Sequence, residues 1–217
     1  MARRGASALA GLLLLVAGCD GGARVVSYPD GQRWSEATVV DGLQQGTWRT
    51  WWPDGTPKSV ETWKDGVLDG DYRAWWRDGA PRVEGTYSTG RMDDLWRTWF
   101  ENGQIESEAV WYEGRRDGPS TLWFENGQVS SVTDYVEGLP HGDSLTFHSD
   151  GSPESEGKME RGELSGPWRR WGENGELRFD GSYQDGKLQG YCRFWRDDGS
   201  PDERTGNYLR GSRTGPR

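Results

Sequence analysis

The chain of 217 residues is 28% charged and 32% hydrophobic, a low apolar share for a domain built around one large core. It contains 33 Gly and 14 Trp, so aromatic side chains must supply most of the buried area. Its formal net charge of −9 disfavours nucleic acids and anionic membrane surfaces as partners, because both repel an acidic chain.

The N-terminal stretch has the features of a secretory signal. It begins with Arg3 and Arg4 and continues with an apolar run that is too short to span a membrane. The sequence "LVAGC" at Leu15–Cys19 resembles the lipobox of bacterial lipoproteins. That resemblance implies that Cys19 becomes the acylated first residue of the mature chain, whose net charge falls from −9 to −11 with the loss of two arginines.

This interpretation sets the domain boundaries. We expect a lipoprotein signal peptide at residues 1–18, a lipidated N-terminus and tether at 19–27, and a repeat array at 28–215. The acyl chains would hold the exported protein at a bacterial membrane, on its periplasmic or cell-surface side, with inner and outer membrane both open. The other cysteine, Cys192, then has no disulfide partner and should be a small buried filler.

The rest of the chain repeats with a period of about 24 residues, the spacing of a repeat architecture. The word "WFENGQ" stands at Trp99–Gln104 and again at Trp123–Gln128. One glycine series keeps this period and follows Asp or Asn each time: Gly31, Gly55, Gly79, Gly103, Gly127, Gly151, Gly175 and Gly199. Such a strict period indicates a repeat array, with about seven full units and a half unit at each end.

Each unit reads as a β-hairpin, because Asp-Gly or Asn-Gly separates two short runs without helical periodicity. We expect a two-residue type I′ loop at Asp54-Gly55, and Trp63 opposite Tyr72 across the next loop. The fold class is therefore all-β, an elongated antiparallel β-hairpin meander of 14 or more short strands. The expected cross-strand pairs are Arg49–Val60, Arg73–Glu84, Arg97–Glu108, Thr121–Val132, Leu145–Glu156, Arg169–Asp180 and Arg193–Arg204.

Aromatic residues form columns when the units are stacked. A structural column, expected to form the core, is aromatic in every unit and contains Trp51, Trp75, Trp99, Trp123, Phe147, Trp171 and Trp195. In the first four units the next residue is aromatic too and should point to the opposite face. A single-layer sheet cannot bury both faces, so Trp52, Trp76, Phe100 and Phe124 are the candidate binding surface, within residues 51–124.

The sequence predicts no catalytic residue, metal site or cofactor. Its two histidines, His141 and His148, are seven residues apart on different expected strands, and no phosphate loop, zinc spacing or nucleophile elbow is present. One column of acids mostly faces arginines and should form ion pairs: Glu84, Glu108, Glu156 and Asp180. The Asp-Gly loops lack the ligand order of an EF-hand, and turn chemistry explains their composition.

The unit "LWRTWFENGQIESEAVWYEGRRDG" at Leu95–Gly118 resembles MORN-type repeats, in particular the bacterial branch known as YwqK-family antitoxins. The resemblance spans about residues 28–215. It implies a β-hairpin array that acts as a scaffold, self-associates, or binds lipids or proteins. The antitoxin branch implies a toxin as the protein partner.

We interpret the chain as a non-enzymatic, membrane-anchored lipoprotein whose repeats bind a protein, with toxin neutralisation as the role that the resemblance implies. The alternative is a repeat protein that binds cell-envelope glycans, since other Trp/Tyr hairpin repeats do so. A cell-envelope hydrolase is disfavoured because the sequence shows no catalytic constellation.

Overall fold

The computed structural model describes residues 22–215, and all regular structure in this range is β-strand. The range contains 17 strands and no helix, which confirms the all-β prediction. Accordingly, it holds no helix of the length and apolarity needed to cross a bilayer. The predicted signal peptide and the lipid-attachment residue Cys19 lie outside the described residues.

The chain consists of two compact units, and the first ends at Gly90. Its strands are β1 (Ala23–Ser27), β2 (Arg33–Val40), β3 (Leu43–Trp51), β4 (Pro57–Lys64), β5 (Val67–Trp75) and β6 (Pro81–Ser88). Each strand pairs antiparallel with the next. Strand β1 corrects the predicted tether: its sequence "ARVVS" includes two β-branched residues, and Val25 and Val26 pair with β2.

The second unit begins at Arg91. Its first six strands are β7 (Arg91–Trp99), β8 (Ile105–Tyr112), β9 (Arg115–Trp123), β10 (Val129–Val136), β11 (Leu139–Phe147) and β12 (Pro153–Glu160). The others are β13 (Glu163–Trp171), β14 (Leu177–Gln184), β15 (Lys187–Phe194), β16 (Gly206–Leu209) and β17 (Ser212–Thr214). Consecutive strands again pair antiparallel.

Two kinds of turn alternate along the chain. At Asp54-Gly55 the Gly55 N–H donates to the Trp52 carbonyl at 2.9 Å, and only Gly55 has positive φ, at 87°. This is a three-residue loop followed by a glycine bulge, so the type I′ prediction was wrong here. The type I′ loop lies at Asp65-Gly66 instead, where φ is 51° and 78°.

The strand register agrees with the sequence in the middle of the hairpins and departs from it near the loops. Six of the seven expected pairs are confirmed, from Arg49–Val60 to Arg169–Asp180. The seventh, Arg193–Arg204, was wrong because Cys192 pairs with Gly206, which shifts the register by one residue. Trp63 pairs with Leu68 rather than with Tyr72, since the loop between β4 and β5 contains only two residues.

Two buried tryptophans of the second unit lie opposite small residues on paired strands. Trp96 is buried opposite Ala109, and Trp168 is buried between Gly157 and Gly181. A Cβ atom added at Gly157 would overlap with the Trp168 ring. At these two places the small residues on the neighbouring strands leave room for the ring, which lets it pack closely against the sheet.

A cluster of buried apolar residues lies near the C-terminal end. It contains Trp168, Phe179, Cys192 and Phe194, with five partly buried apolar residues around them. Phe179 is 1% exposed, and its ring centroid lies 4.9 Å from that of Phe194. Cys192 is 0% exposed, which confirms the expected small buried filler.

Candidate functional site

The structural aromatic column corrects one expectation about the core. All seven of its residues are half-buried, whereas the fully buried side chains belong to neighbouring columns. The first six of these residues are the last residues of their strands, next to the three-residue loops. A ring at a strand end is covered by neighbours on fewer sides than one in the middle of the sheet. The Arg33 guanidinium, 5.3 Å from the Trp51 ring centroid, supplies part of that cover.

A groove of about 420 Å³ opens beside this column in the first unit. The aromatic rings of Trp51 and Trp75 line it, together with Arg49, Val60 and backbone near the turns. The groove thus combines two flat apolar surfaces with one exposed cation.

The candidate binding residues of the first unit, Trp52 and Trp76, begin its three-residue turns. Trp76 repeats the turn geometry of Trp52, with its N–H donating to the Ala80 carbonyl at 2.8 Å. Both rings are half-buried, and each lies next to a basic side chain. The Lys58 Nζ atom lies 4.8 Å from the Trp52 ring centroid, and the Arg82 guanidinium carbon lies 5.5 Å from that of Trp76. These are cation–π distances.

Sequence reasoning missed the two cations, although a signal was present. Lys58 and Arg82 are one repeat period apart and stand at equivalent places in two successive units. Each follows its tryptophan at the same spacing, so their shared basic character marked them as a pair.

The candidate residues of the second unit, Phe100 and Phe124, occupy the same place in their turns and are also half-buried. The positions equivalent to Lys58 and Arg82 hold Glu106 and Ser130 there, so neither phenylalanine has such a cation. The structure therefore divides the four candidates into two tryptophans with cations and two phenylalanines without them.

Residues equivalent to Trp52 in other repeats connect neighbouring turns within each unit. The Tyr28 hydroxyl donates to the Trp51 carbonyl at 2.9 Å, and His148 Nε2 lies 3.2 Å from the Trp171 carbonyl oxygen. A side chain at this place thus contacts the turn of the next repeat, which stabilises the stacking of the hairpins.

Asp54 shows how the turn residues themselves contribute to this stacking. Its carboxylate accepts hydrogen bonds from the Thr56 hydroxyl at 2.6 Å and from Arg77 Nε, in the next turn, at 2.7 Å. These bonds hold the pKa of Asp54 well below its usual range. Asn102 replaces the ion pair in the second unit, since its Nδ2 donates to the Glu125 carbonyl at 2.8 Å.

The low pKa of Asp54 predicts how the stability depends on pH. A carboxyl group whose pKa is lower in the folded state stabilises the fold above its unfolded pKa of about 3.9, and this contribution disappears as the pH falls through the folded pKa. We expect Asp54→Asn to be less stable than the parent at pH 7, with a difference that shrinks below about pH 4. Urea unfolding between pH 2 and pH 7 measures this. Asp78→Asn is the control, because within residues 22–215 Asp78 accepts only the Ala80 N–H. Equal pH profiles for both variants would contradict the assignment.

Three buried side-chain donors without a hydrogen-bond partner lie in the first unit. They are Trp48 Nε1, Trp52 Nε1 and Arg82 Nε, and no other such atom occurs within residues 22–215. All three are N–H donors. The nearby Glu61 does not satisfy them, because its oxygens accept from the Ser59 hydroxyl at 3.1 Å and from Trp63 Nε1 at 3.1 Å.

Two tyrosines of the first unit also pack against each other. Tyr72 and Tyr87 meet edge to face with their ring centroids 5.7 Å apart. Burial raises the pKa of both hydroxyl groups, and Glu61 raises it further. The positive charge of Arg82 and a hydrogen bond from it both act in the opposite direction on the pKa of Tyr72, so Arg82 lies close to the Tyr72 hydroxyl.

The acid column forms ion pairs, as the sequence indicated. Arg97 and Glu108 lie 2.7 Å apart, Arg169 and Glu156 lie 3.3 Å apart, and Arg193 and Asp180 lie 2.6 Å apart. Within the described range no group of three His, Cys, Asp or Glu residues is placed to hold a metal ion.

Comparison with known families places this geometry in context. Residues 44–65 and 95–111 match the family described as MORN repeat variant. A comparison with curated proteins gave no match. The first stretch covers β3, its three-residue turn and β4, and the second covers most of β7, its turn and β8. Each of the two units therefore contains one stretch that matches the MORN repeat variant.

Proposed function

We propose that this chain is a non-enzymatic repeat protein that binds another protein through the surface around Trp52 and Trp76 in its first unit. MORN repeats generally bind proteins or membranes. The observation that carries the proposal is the pair Trp52 and Trp76, whose rings are half-buried and flanked by cations. Tryptophan and arginine are the residues that most often anchor protein interfaces.

The N-terminal sequence supports a location for this binding. Acylation of Cys19 would attach the exported chain to a bacterial membrane, with the repeats on the periplasmic or cell-surface side. The mature net charge of −11 argues against direct adhesion of the repeats to anionic lipid. Partners consistent with the resemblance are a toxin, which the chain would neutralise, or a second copy of the chain.

Crosslinking in cells tests the proposal. The full-length chain would carry a photo-crosslinking residue in place of the exposed Pro53 or Pro81, beside the two tryptophans' site, and it would be extracted with mild detergent and analysed by mass spectrometry. We expect one enriched protein partner, and we expect Trp52→Ala/Trp76→Ala to reduce its recovery about tenfold, as for interface anchors worth about 1–2 kcal/mol or more.

The control removes two exposed aromatic residues elsewhere. Tyr112 and Tyr191 are 61% and 59% exposed, so Tyr112→Ala/Tyr191→Ala should leave recovery unchanged. The same loss in both variants, or no enriched protein at all, would contradict protein binding. Recovery of the parent chain without membrane extraction would contradict the lipid anchor.

The groove between Trp51 and Trp75 favours a second candidate, a cell-envelope glycan. Flat aromatic rings beside polar groups are suited to sugar rings, and both features line this groove. Co-sedimentation of the chain with cell-wall material, lost on Trp51→Ala/Trp75→Ala, would support glycan binding. Co-sedimentation that persists in this variant would exclude the groove as the sugar site.

A further inference from the structure

We propose that the surface formed by Trp52, Lys58, Trp76 and Arg82 recognises a carboxylate-rich peptide segment of the partner protein. This surface, called here the cation–tryptophan site, lies wholly within the first unit. The inference rests on the proposed function and names the chemistry of the partner.

The first argument is charge. Some other arginines of the first unit have acidic partners, such as Arg33 with Glu36 at 2.7 Å and Arg77 with Asp54 at 2.7 Å. Lys58 and Arg82 take part in none of the ion pairs found in the described range. Both are half-buried against tryptophan rings, and although Arg82 hydrogen-bonds the neutral Tyr72 hydroxyl, neither cation has gained a counter-ion for its lost hydration. Carboxylates supplied by a partner would form ion pairs with both cations.

The second argument is hydrogen bonding. The three unsatisfied buried groups within residues 22–215 are all N–H donors, and two of them belong to Trp52 and Arg82. A buried donor without an acceptor destabilises the structure, and carboxylate oxygens are strong acceptors. Since these nitrogens are shielded from solvent, binding requires a side-chain rotation, which interface residues commonly undergo.

The third argument is the contrast with the second unit. The three positions that follow Arg82 at successive repeat intervals hold Glu106, Ser130 and Glu154. The next residue in this series, Arg178, is already used, because its NH1 donates to the Arg196 carbonyl at 2.7 Å and its NH2 to the Asp197 carbonyl at 3.2 Å. At this place in the repeat, a cation available to a partner beside a tryptophan ring thus occurs only in the first unit among the described repeats.

A peptide fits this site better than an anionic membrane does. Two cations are too few to hold a chain of net charge −11 at a negative surface, since surface attraction grows with the number of basic residues. The tryptophan rings also offer apolar contact for side chains between the carboxylates. Glu61 keeps its negative charge although its oxygens accept hydrogen bonds, but the two cations of the site outnumber it.

Fluorescence anisotropy on the full chain in mild detergent tests the inference. The probe is a fluorescein-labelled decapeptide of alternating Glu and Ser, and the matched probe contains Lys in place of Glu. We expect binding of the Glu probe only, weakened at least tenfold in Lys58→Glu/Arg82→Glu. The control Arg73→Glu/Lys64→Glu makes the same change in charge. The exposed Arg73 lies on the face opposite its neighbour Tyr72, and Lys64 adjoins the type I′ loop. This control variant should bind the Glu probe with an affinity within about twofold of the parent's.

Each other outcome has a defined meaning. Equal weakening in both variants would mean that net charge alone explains the effect, and it would overturn the proposed site. Failure of the Glu probe to bind the parent chain would overturn it as well. Binding of the parent to phosphatidylglycerol vesicles with no binding of the peptide would replace the peptide with a membrane. Circular dichroism confirms folding of each variant, and Lys58→Arg/Arg82→Lys, which keeps both charges, should retain binding. A partner crosslinked at position 53 or 81 without peptide binding would overturn this inference alone, whereas the absence of any partner would overturn the proposed function.

Discussion

Phe179→Ala is expected to lower the free energy of unfolding by about 3–5 kcal/mol, the cost of a large cavity in a closely packed site. The Phe179 side chain is 1% exposed, with the rings of Phe194 and Tyr183 at 4.9 and 5.6 Å between centroids. The Arg170 guanidinium lies 5.3 Å from the same ring and closes the remaining side. Urea unfolding of the full chain, followed by tryptophan fluorescence, measures the change.

Phe147→Ala is the matched control for this variant. Phe147 belongs to the same unit, but it ends its strand and is only half-buried. We expect less than half the loss seen for Phe179→Ala, because fewer contacts are removed and solvent can fill the space. Equal losses would show that the C-terminal cluster is not the main source of packing energy in this unit.

Gly157→Thr is expected to have the second largest effect, a loss of about 3 kcal/mol, because it overpacks a closed site. Gly157 has no unusual backbone conformation, so the cost is steric: its new Cβ would meet the Trp168 ring. Trp168 is 7% exposed, and its Nε1 donates to the Lys158 carbonyl at 2.9 Å, which holds the ring in place. Thermal and urea unfolding of the variant test this expectation.

A double variant separates this clash from a general effect of threonine. Gly157→Thr/Trp168→Ser recreates the Thr133–Ser144 pair of a neighbouring hairpin, where the hydroxyl groups lie 3.1 Å apart. In the Trp168→Ser background the added threonine should lower the free energy of unfolding by less than about 1 kcal/mol. The difference from its cost in the parent chain is a coupling energy typical of residues in direct contact. Additive losses would refute direct packing of Gly157 against Trp168.

The two turn types show where sequence reasoning reached its limit. Both loops contain Asp-Gly or Asn-Gly, and the central register of the hairpin is the same for a two-residue loop as for a three-residue loop with a bulge. The extra residue of the Asp54-Gly55 loop is offset by the unpaired Lys58 on β4. The confirmed pair Arg49–Val60 therefore could not distinguish the two turns, whereas backbone dihedral angles do.

The candidate site was predicted only in part for a related reason. Trp52 and Trp76 were found because adjacent residues of a strand face opposite sides. The position of Lys58 and Arg82 over those rings depends on the bulge that follows each loop, and a simple alternation rule does not include bulges.

The sequence by itself determined the repeat unit and its length, the hairpin in each unit, and most central strand pairs, because these features depend on residues close together in the chain. Tertiary structure decided which aromatic residues are buried. Trp96 and Trp168 are enclosed by small residues on paired strands, whereas Trp51 and Trp75 end their strands and remain half-buried. Burial depends on what neighbouring strands place around a ring, and the ring's own position in the repeat does not specify it.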